Sequence, residues 1–290
     1  KPGDELVTTN REHGNAVAIM RFLEESRGVV VRRFDVPATA TSEQLYLGLL
    51  SLVTERTRLV LVSEIDCLTG WMPDLSSLAE SLEMLNVHLL VDGAHSPGHI
   101  IARPSRYPLW VGSGHKWLGA PNGTGFAYVA RELIPFLEPT RVAQHFFDKR
   151  ESEIYDLTRF ECNGGNDMAR WFGLTAAIAL YESLHPEDLF SYQKQLVASL
   201  AERLFERFGR RVNIRTPIEC NEYAGMLTFY FPDADVAVKD LRKALYDDYK
   251  IWIQPDFIGE KPGHGARISC HYSNTEAELG SLIEAIASYI

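Results

Sequence analysis

The sequence has little cysteine and no long apolar run. Its four cysteines stand at positions 67, 162, 220 and 270 without forming a Cys-x-x-Cys pair, which argues against a zinc site and against a disulfide scaffold. No apolar stretch approaches the roughly 20 residues of a membrane-spanning helix, and the opening residues lack a signal-peptide pattern. We therefore predict no metal, no membrane partner and a reducing, cytoplasmic location.

An excess of basic residues is also missing. The 290 residues include 29 Lys and Arg against 39 Asp and Glu, which gives a formal net charge of −10 and an isoelectric point near 5.4. A chain this acidic binds nucleic acid poorly through its bulk charge, so we predict no nucleic-acid partner. Its 46% hydrophobic and 23% charged residues are typical of a globular protein with a substantial core.

Short apolar runs alternate with amphipathic stretches over the first 130 or so residues. The predicted strands are residues 5–9, 29–34, 58–63, 87–92, 109–113 and 125–129. The predicted helices between them are residues 15–26, 42–54 and 75–85. Strands separated by helices of about 10–15 residues indicate an α/β fold with a mostly parallel sheet.

The pattern changes after Gly165. Two long helices are predicted at 168–184 and 187–208, followed by strands at 212–215, 226–231, 251–254 and 267–270, a helix at 236–249 and a last helix from Thr275. We predict a large domain over residues 1–185 and a smaller C-terminal α/β domain over 186–290. The first strand resembles the middle of a doubly wound domain, so we expect the large domain to be incomplete at its N-terminus.

Lys116 stands in a setting that is unusual for a lysine. It follows the apolar strand 109–113 in the turn 113–117 (SGHKW), and the glycines 119, 123 and 125 come directly after it. Ligands of open α/β sheets bind beyond the carboxyl ends of the strands. A lysine that is desolvated there has a lowered pKa and can attack an aldehyde, whereas an ordinary lysine is a solvated surface group.

Asp92 ends another predicted strand, 24 positions before Lys116. Its simplest interpretation is a turn or helix cap. Because one strand–crossover–strand unit separates the two residues, both can project from neighbouring strand ends. A carboxylate in that place can pair with a protonated pyridine nitrogen and keep the ring an acceptor of electrons.

The runs 91–95 (VDGAH) and 113–117 (SGHKW), together with 267–275 (RISCHYSNT), resemble the class V aminotransferase family of fold-type I enzymes, which depend on pyridoxal phosphate (PLP). Within that family, the run 92–98 (DGAHSPG) is most similar to the isopenicillin N epimerase-like branch. The resemblance covers essentially the whole chain. It implies an aspartate aminotransferase-like α/β fold and PLP held by Lys116 as a Schiff base.

The same resemblance implies roles for further residues. His13 would stack on the cofactor ring, and His95 would lie near the Schiff base and the phenolic oxygen. Ser113 and His115 match positions that bind the cofactor phosphate. Arg267, whose planar fork suits a carboxylate, would hold the substrate α-carboxylate.

The reaction itself stays open at the level of sequence. The resemblance implies that Lys116, once released, removes the α-proton of an amino acid or an amino-acid-derived substrate; epimerisation, transamination or C–S lysis can follow. A cysteine desulfurase is disfavoured because residues 250–266 contain no cysteine. A catalytically silent PLP-fold partner subunit is the alternative interpretation. The resemblance also implies a homodimer with active sites at the subunit interface.

Three features depart from the family pattern. Gly165 replaces a threonine that reaches the phosphate of the neighbouring subunit, and Cys67 stands where relatives have Asn or Ser. We interpret Cys67 as a small buried apolar residue. No phosphate-binding glycine-rich turn precedes the first strand. Aromatic residues at positions 71, 107, 110, 155 and 223 are candidates for a substrate pocket, although each is individually more typical of a core.

Overall fold

The computed structural model describes residues 1–142, 155, 157–160, 167–232, 238–255 and 265–290. Their strands form two sheets, one of six strands within the first 130 residues and one of four strands in the last third of the chain. The first sheet carries most of the predicted site residues. The second contributes Arg267.

The six-stranded sheet matches the predicted α/β pattern. Its strands are β1 (Glu5–Thr9), β2 (Val30–Phe34), β3 (Thr57–Ser63), β4 (His88–Gly93), β5 (Leu109–Ser113) and β6 (Gly125–Val129). They lie in the order β2-β1-β3-β4-β5-β6, and every pair is parallel except β5 with β6. The parallel strands therefore end together at one edge of the sheet.

Three helices connect these strands: α1 (Gly14–Arg27), α2 (Ser42–Ser51) and α3 (Ser76–Met84). Thr41 starts α2 with a capping box, in which its hydroxyl accepts from the Gln44 amide and the Gln44 side chain accepts from the Thr41 amide. Leu45 and Leu49 on α2 and Leu78 and Leu82 on α3 pack on one face of the sheet. The burial of these leucines drives the docking of the two helices.

Side chains alternate along a strand, so one face of β3 and β4 is covered by helices and the other face lines a cavity. Val60 and Val91 are fully buried under α2 and α3. Leu61, which follows Val60, and Leu90, which precedes Val91, face the other side of the sheet and line a cavity that α1 borders. Asp92 follows in phase with Leu90, so its side chain enters the same cavity.

The four-stranded sheet is antiparallel. It contains β7 (Asn213–Ile214), β8 (Met226–Tyr230), β9 (Gln254–Pro255) and β10 (Gly265–Ser269) in the order β7-β8-β10-β9. The helices of this part are α4 (Met168–Ser183), α5 (Pro186–Phe208), α6 (Val238–Tyr249) and α7 (Glu276–Ala287). Leucines of α5 and α7 and phenylalanines of β8 and its C-terminal end form its core.

Two predicted strands of this part are shorter or displaced. The expected strand 212–215 is reduced to the two residues of β7, and the expected strand 251–254 becomes β9. β9 contains Pro255, which lacks the N–H that a longer ladder needs. His185 has a positive φ of 55° directly before the helix-starting Pro186, which favours a break there, and the domain boundary at 185/186 stays a prediction.

The two sheets touch through the loop that follows β3. The Thr216 hydroxyl donates to the Thr69 carbonyl at 2.6 Å, and the Thr228 hydroxyl donates to the Leu68 carbonyl at 2.6 Å. Gly70 packs directly against Met226. This junction fixes β8 and its neighbour β10 beside the carboxyl ends of the first sheet.

Within the described ranges, no helix is both long and apolar enough to cross a bilayer. The same part of the chain has no group of three or more His, Cys, Asp and Glu side chains arranged to hold a metal ion.

Candidate active site

A cavity of about 640 Å³ lies at the carboxyl ends of β3, β4 and β5. Six of the seven residues predicted to form the site line it: His13, Asp92, His95, Ser113, His115 and Lys116. Its remaining wall is apolar and comes from α1 and from the cavity-facing leucines of the sheet. The cavity therefore combines polar and apolar lining, the usual character of a site for a small cofactor.

Lys116 is half-buried in this cavity, and its Nζ lies 3.2 Å from Nε2 of His95. Burial lowers the pKa of Lys116; the charge of Asp92 opposes that effect, and the charge of Arg267 adds to it. Because the neutral amine is the nucleophilic form, this environment prepares Lys116 for attack on a carbonyl carbon.

Asp92 is the penultimate residue of β4. It lies opposite Ser63 on β3 and Val111 on β5. Its Oδ1 accepts a hydrogen bond from the Ala94 amide at 2.9 Å, as in an ordinary Asx turn. Among the described residues no donor contacts Oδ2, so this oxygen can accept from a ligand in the cavity.

Glu12 is a second carboxyl group close to Asp92, and nothing in the sequence pattern singles it out. It is 8% exposed, and its two oxygens accept from the Thr9 hydroxyl at 2.6 Å and the Ser63 hydroxyl at 2.7 Å. Burial raises the pKa of Glu12 to about 7, against the two hydroxyl hydrogen bonds and with help from the charge of Asp92.

Each of the two ring nitrogens of His95 contacts a different side chain. The indole Nε1 of Trp117 donates to its Nδ1 at 3.1 Å, and its Nε2 faces Lys116. Burial, followed by the charges of Lys116 and Arg267, holds the pKa of His95 well below its ordinary value. His95 is therefore a neutral imidazole at physiological pH.

His13 serves the helix and faces the cavity at the same time. It is the N-cap of α1, where its Nδ1 accepts from the Asn15 amide at 3.2 Å. The ring is exposed and lines the cavity. Its position as a helix cap is thus compatible with a ring that stacks on a ligand.

Ser113 and His115 flank the cavity from the end of β5. Nδ1 of His115 lies 3.0 Å from the Thr124 carbonyl oxygen, so this nitrogen carries the proton and donates. The neutral ring then has no second N–H. A hydrogen bond from His115 Nε2 to an anion needs a proton on Nε2 as well as on Nδ1.

Arg267 reaches the site from β10. Its NH1 donates to the Cys67 carbonyl at 2.5 Å, while its buried Nε has no hydrogen-bond partner among the described residues. Its charge acts on both Lys116 and His95. Arg267 does not line the cavity itself, but the guanidinium keeps donors available for an anionic group beside it.

The cysteines near the site are poor nucleophiles. Cys67 lines the cavity and is 7% exposed, as its interpretation as a small buried residue expects. Burial first, then the charge of Asp66, raises the pKa of Cys67 to about 11. Burial raises the pKa of Cys270 to about 12. Both thiols therefore stay protonated at neutral pH.

The aromatic candidates for a substrate pocket are placed elsewhere. Trp71, Tyr107 and Trp110 belong to the core of the first sheet, and Tyr223 belongs to the core of the second. Tyr155 is 44% exposed. None of the five lines the cavity that holds Lys116. Large rings fill space between sheet and helices, which sequence composition does not distinguish from a pocket wall.

The loop 160–167, which contains Gly165, lies outside the described residues except for its two ends, and Cys162 lies outside them too. The structure also places His99 beside the site, where its ring stacks on Trp117, and the sequence analysis did not single it out. Its only sequence signal is its position four residues after His95.

Comparison with known proteins agrees with this geometry. Isopenicillin N epimerase of Streptomyces clavuligerus is 28% identical over an alignment of 272 residues that covers 89% of this chain and 67% of the relative. The same enzyme of Amycolatopsis lactamdurans is 28% identical over 98% of this chain and 73% of its own. A cysteine desulfurase of Pectobacterium carotovorum subsp. carotovorum (strain PC1) is 28% identical over 70% of this chain and 51% of its own.

Solved structures show the same fold. The cystine C–S lyase C-DES, in complex with cysteine persulfide, superposes with a TM-score of 0.82 over 99% of this chain and 76% of its own, at 24% identity. A cysteine desulfurase from Thermococcus onnurineus NA1 superposes with a TM-score of 0.79 over 99% of this chain and 73% of its own, at 21% identity. These likenesses confirm the expected fold type I architecture.

The family model described as aminotransferase class-V matches residues 1–282. This match confirms the resemblance seen in the motifs around Asp92 and Lys116, and with it the expected cofactor. It also favours an enzyme over a silent partner subunit. The chain belongs to the class-V aminotransferase family and is a PLP-dependent enzyme.

Proposed function

We propose that this protein transfers a proton at the α-carbon of an amino acid or an amino-acid-derived substrate, with Lys116 as both the anchor of PLP and the base. One observation carries the proposal. The half-buried Lys116 amine lies in the cavity within 3.2 Å of a neutral imidazole, under conditions that lower its pKa, with the Asp92 carboxylate in the same cavity.

The donors and acceptors of the cavity fit the cofactor. Lys116 supplies the amine for its aldehyde, and Oδ2 of Asp92 supplies an acceptor for a protonated ring nitrogen. Ser113 and His115 supply donors for its phosphate, and the exposed ring of His13 supplies a stacking surface. When bound, PLP supplies an electron-accepting ring next to the substrate α-carbon.

Arg267 is the proposed partner of the substrate carboxylate. Its guanidinium retains donors beyond the one committed to the Cys67 carbonyl, and a planar fork pairs bidentately with a carboxylate. It stands on β10, while Lys116 follows β5, so the substrate would be held between the two sheets. That placement would orient the α-hydrogen towards the amine of Lys116.

Among the possible outcomes of proton removal we place epimerisation first. The two isopenicillin N epimerases match nearly the full length of this chain. A desulfurase that forms a persulfide on the enzyme needs an ionised thiol, and the pKa of the cavity-lining Cys67 is about 11. Transamination and C–S lysis on the substrate itself need no such thiol, and the assay below distinguishes them.

We also propose that the active protein is a homodimer. The α4 helix lies next to the lysine-bearing loop, because Leu174 packs on Leu118 and Ala120. The outer face of α4 exposes large apolar side chains, with Trp171 45% exposed and Phe172 72% exposed. A second copy that covers this face would bring its own residues close to the cavity.

The first experiment follows covalent attachment of the cofactor. The protein with added PLP should show a visible absorption band that borohydride bleaches, and the reduced label should map to the peptide containing Lys116. The variant Lys116→Ala should lack both signals. Lys194→Ala is the matched control, since Lys194 is another lysine whose pKa is lowered by burial, but it lies away from the cavity.

The second step of the test uses single amino-acid enantiomers in deuterated water. Epimerisation predicts deuterium at the α-carbon together with the opposite enantiomer. An oxo acid would instead indicate transamination, and a released sulfur species would indicate C–S lysis. The proposed function would be wrong if the protein leaves the spectrum of free PLP unchanged. It would also be wrong if borohydride fixes PLP on the Lys116→Ala variant as strongly as on the wild type.

A further inference from the structure

Lys116, His95 and Trp117 form a chain of three side chains in contact. The indole Nε1 of Trp117 lies 3.1 Å from Nδ1 of His95, and Nε2 of His95 lies 3.2 Å from Nζ of Lys116. All three residues come from the two turns that follow β4 and β5. The order of the contacts is therefore set by the fold of the first sheet.

The chemistry of the indole determines the proton on His95. An indole nitrogen only donates, so Nδ1 of His95 has to accept and carries no hydrogen. A neutral imidazole with a bare Nδ1 carries its proton on Nε2. The Nε2–H of His95 then points at Lys116. An amine can accept that hydrogen bond only through its lone pair, which the ammonium form lacks.

Trp117 is itself held in place from both sides. Its ring is 5% exposed and stacks on His99 with centroids 3.5 Å apart and planes 13° apart. Nε2 of His99 accepts from the Gly225 amide, so Nδ1 of His99 donates to the His95 carbonyl at 3.0 Å. Nδ1 of His271 accepts from the Ser273 amide, so its Nε2 donates to the Trp117 carbonyl at 3.0 Å.

We propose that Trp117 is a positioning residue whose indole N–H selects the His95 tautomer that donates to Lys116, which favours the neutral lysine amine and aims its lone pair. The inference rests on the proposed role of Lys116. It goes further by assigning the state of that amine to a tryptophan that does not line the cavity. His99 and Gly225 extend the same contact chain to β8.

Other charged and titratable groups also act on these side chains. Those that act on Lys116 are Asp92 and Cys67, which favour its charged form, and Arg267, which disfavours it. Those that act on His95 are Lys116, Arg267, His99 and His13, and all of them disfavour its charged form. None of them fixes which nitrogen of a neutral His95 carries the proton; the indole does.

The test uses the protein without added cofactor. Long-range proton–nitrogen NMR of histidine-labelled protein should show His95 with a protonated Nε2 and a bare Nδ1. The pH dependence of Lys116 labelling by a small amine-reactive reagent, read by mass spectrometry of its peptide, gives the midpoint of its titration.

In Trp117→Phe, which keeps a ring against His99, His95 should become a mixture of tautomers. The Lys116 midpoint should rise by about one pH unit, with about tenfold slower labelling near pH 7.

Trp110→Phe is the matched control. Trp110 is also buried, and its Nε1 donates to Glu64 at 3.0 Å, so its loss removes an indole hydrogen bond at another site. This variant should leave both the His95 tautomer and the Lys116 midpoint unchanged, even if it lowers the unfolding midpoint. A purely structural role for Trp117 would lower stability without moving the Lys116 midpoint.

Two results would overturn the inference. One is a wild-type His95 that carries its proton on Nδ1, which needs no variant to observe. The other is an unchanged Lys116 midpoint in Trp117→Phe. Failure of the proposed function looks different. Borohydride would then fix no PLP on Lys116, while the NMR and titration results would be unchanged.

Discussion

At the scale of single residues, the site contains two carboxyl groups with opposite surroundings. Asp92 faces the cavity and accepts one backbone hydrogen bond. Glu12 is buried and accepts from two hydroxyls, one of which belongs to Ser63, the register partner of Asp92. Because like charges so close together repel, a protonated Glu12 leaves Asp92 free to carry the negative charge of the pair.

Glu12→Gln should remove a pH-dependent loss of stability. The carboxyl releases its proton at its ordinary pKa of 4.5 in the unfolded chain but at about 7 in the fold. Between these values the unfolded state binds fewer protons, so the free energy of unfolding falls as the pH rises. Relative to the wild type, the variant should gain up to about 3 kcal/mol between pH 4.5 and 7. Urea unfolding over this range measures the difference.

Glu5→Gln is a control in which the free energy of unfolding should depend on pH in the opposite direction. Hydrogen bonding to Arg32 is the largest cause that lowers the pKa of Glu5 to about 2. Its stabilising contribution is present above pH 4.5 and is lost as the pH falls towards 2. A Glu12→Gln variant whose stability keeps the wild-type slope between pH 4.5 and 7 would contradict the raised pKa.

At the scale of elements, the loop after β3 depends on one close approach between the two sheets. Gly70 has a φ of +75°, in the left-handed region that favours glycine. A Cβ at this position would lie 2.6 Å from the carbonyl oxygen of Met226 on β8. Asp66 of the same loop accepts from the Thr69 hydroxyl and forms an ion pair with Arg11, which lies between β1 and α1.

Gly70→Ala should therefore destabilise the fold more than the backbone conformation alone accounts for. Gly119→Ala is the matched control, because Gly119 has a φ of +71° and a Cβ added there would meet no atom within 4 Å. We expect about 1–2 kcal/mol for Gly119→Ala from the left-handed conformation, and about 1–3 kcal/mol more for Gly70→Ala from the clash. Equal losses in urea unfolding would show that the close approach to β8 adds nothing to stability.

At the scale of the whole molecule, the site is shared between parts that are far apart in sequence. The guanidinium of Arg267 contacts the carbonyl of Cys67, 200 positions away, and the Gly225 amide contacts His99. Both contacts join the part of the chain around the second sheet to the loops that follow β3 and β4. Separation of the two parts would remove Arg267 from its place beside the cavity and release the ring that supports Trp117.

The homodimer proposal makes a prediction at the same scale. Phe172→Glu should convert a dimer to a monomer in light scattering coupled to size exclusion, because a charge buried at an interface without a partner is strongly unfavourable. Phe136→Glu is the control, since Phe136 is 80% exposed but lies outside α4, in the segment that follows β6. A wild-type monomer, or dissociation by both variants alike, would contradict the proposed interface.

The sequence by itself determined the α/β pattern, the cofactor family and the positions of Lys116 and Asp92. The strands follow from local information, since short apolar runs place them, and the cofactor family follows from the resemblance that the turn motifs at their ends carry. The last helix shows the same locality, because it was predicted from Thr275, and Thr275 is the N-cap that forms a capping box with Glu278. The short strands β7 and β9 were less predictable, as tertiary pairing decides how much of an apolar run joins a ladder.

Only the tertiary structure decided the protonation chemistry of the site. Nothing local marks Glu12 as a carboxyl whose pKa approaches 7, because its burial arises from β1 and β3 together. Nor does the turn that contains Trp117 reveal that its indole donates to His95, 22 positions earlier. Hydrogen-bond direction and desolvation depend on which side chains meet in space, and here these come from separate strands and from both sheets.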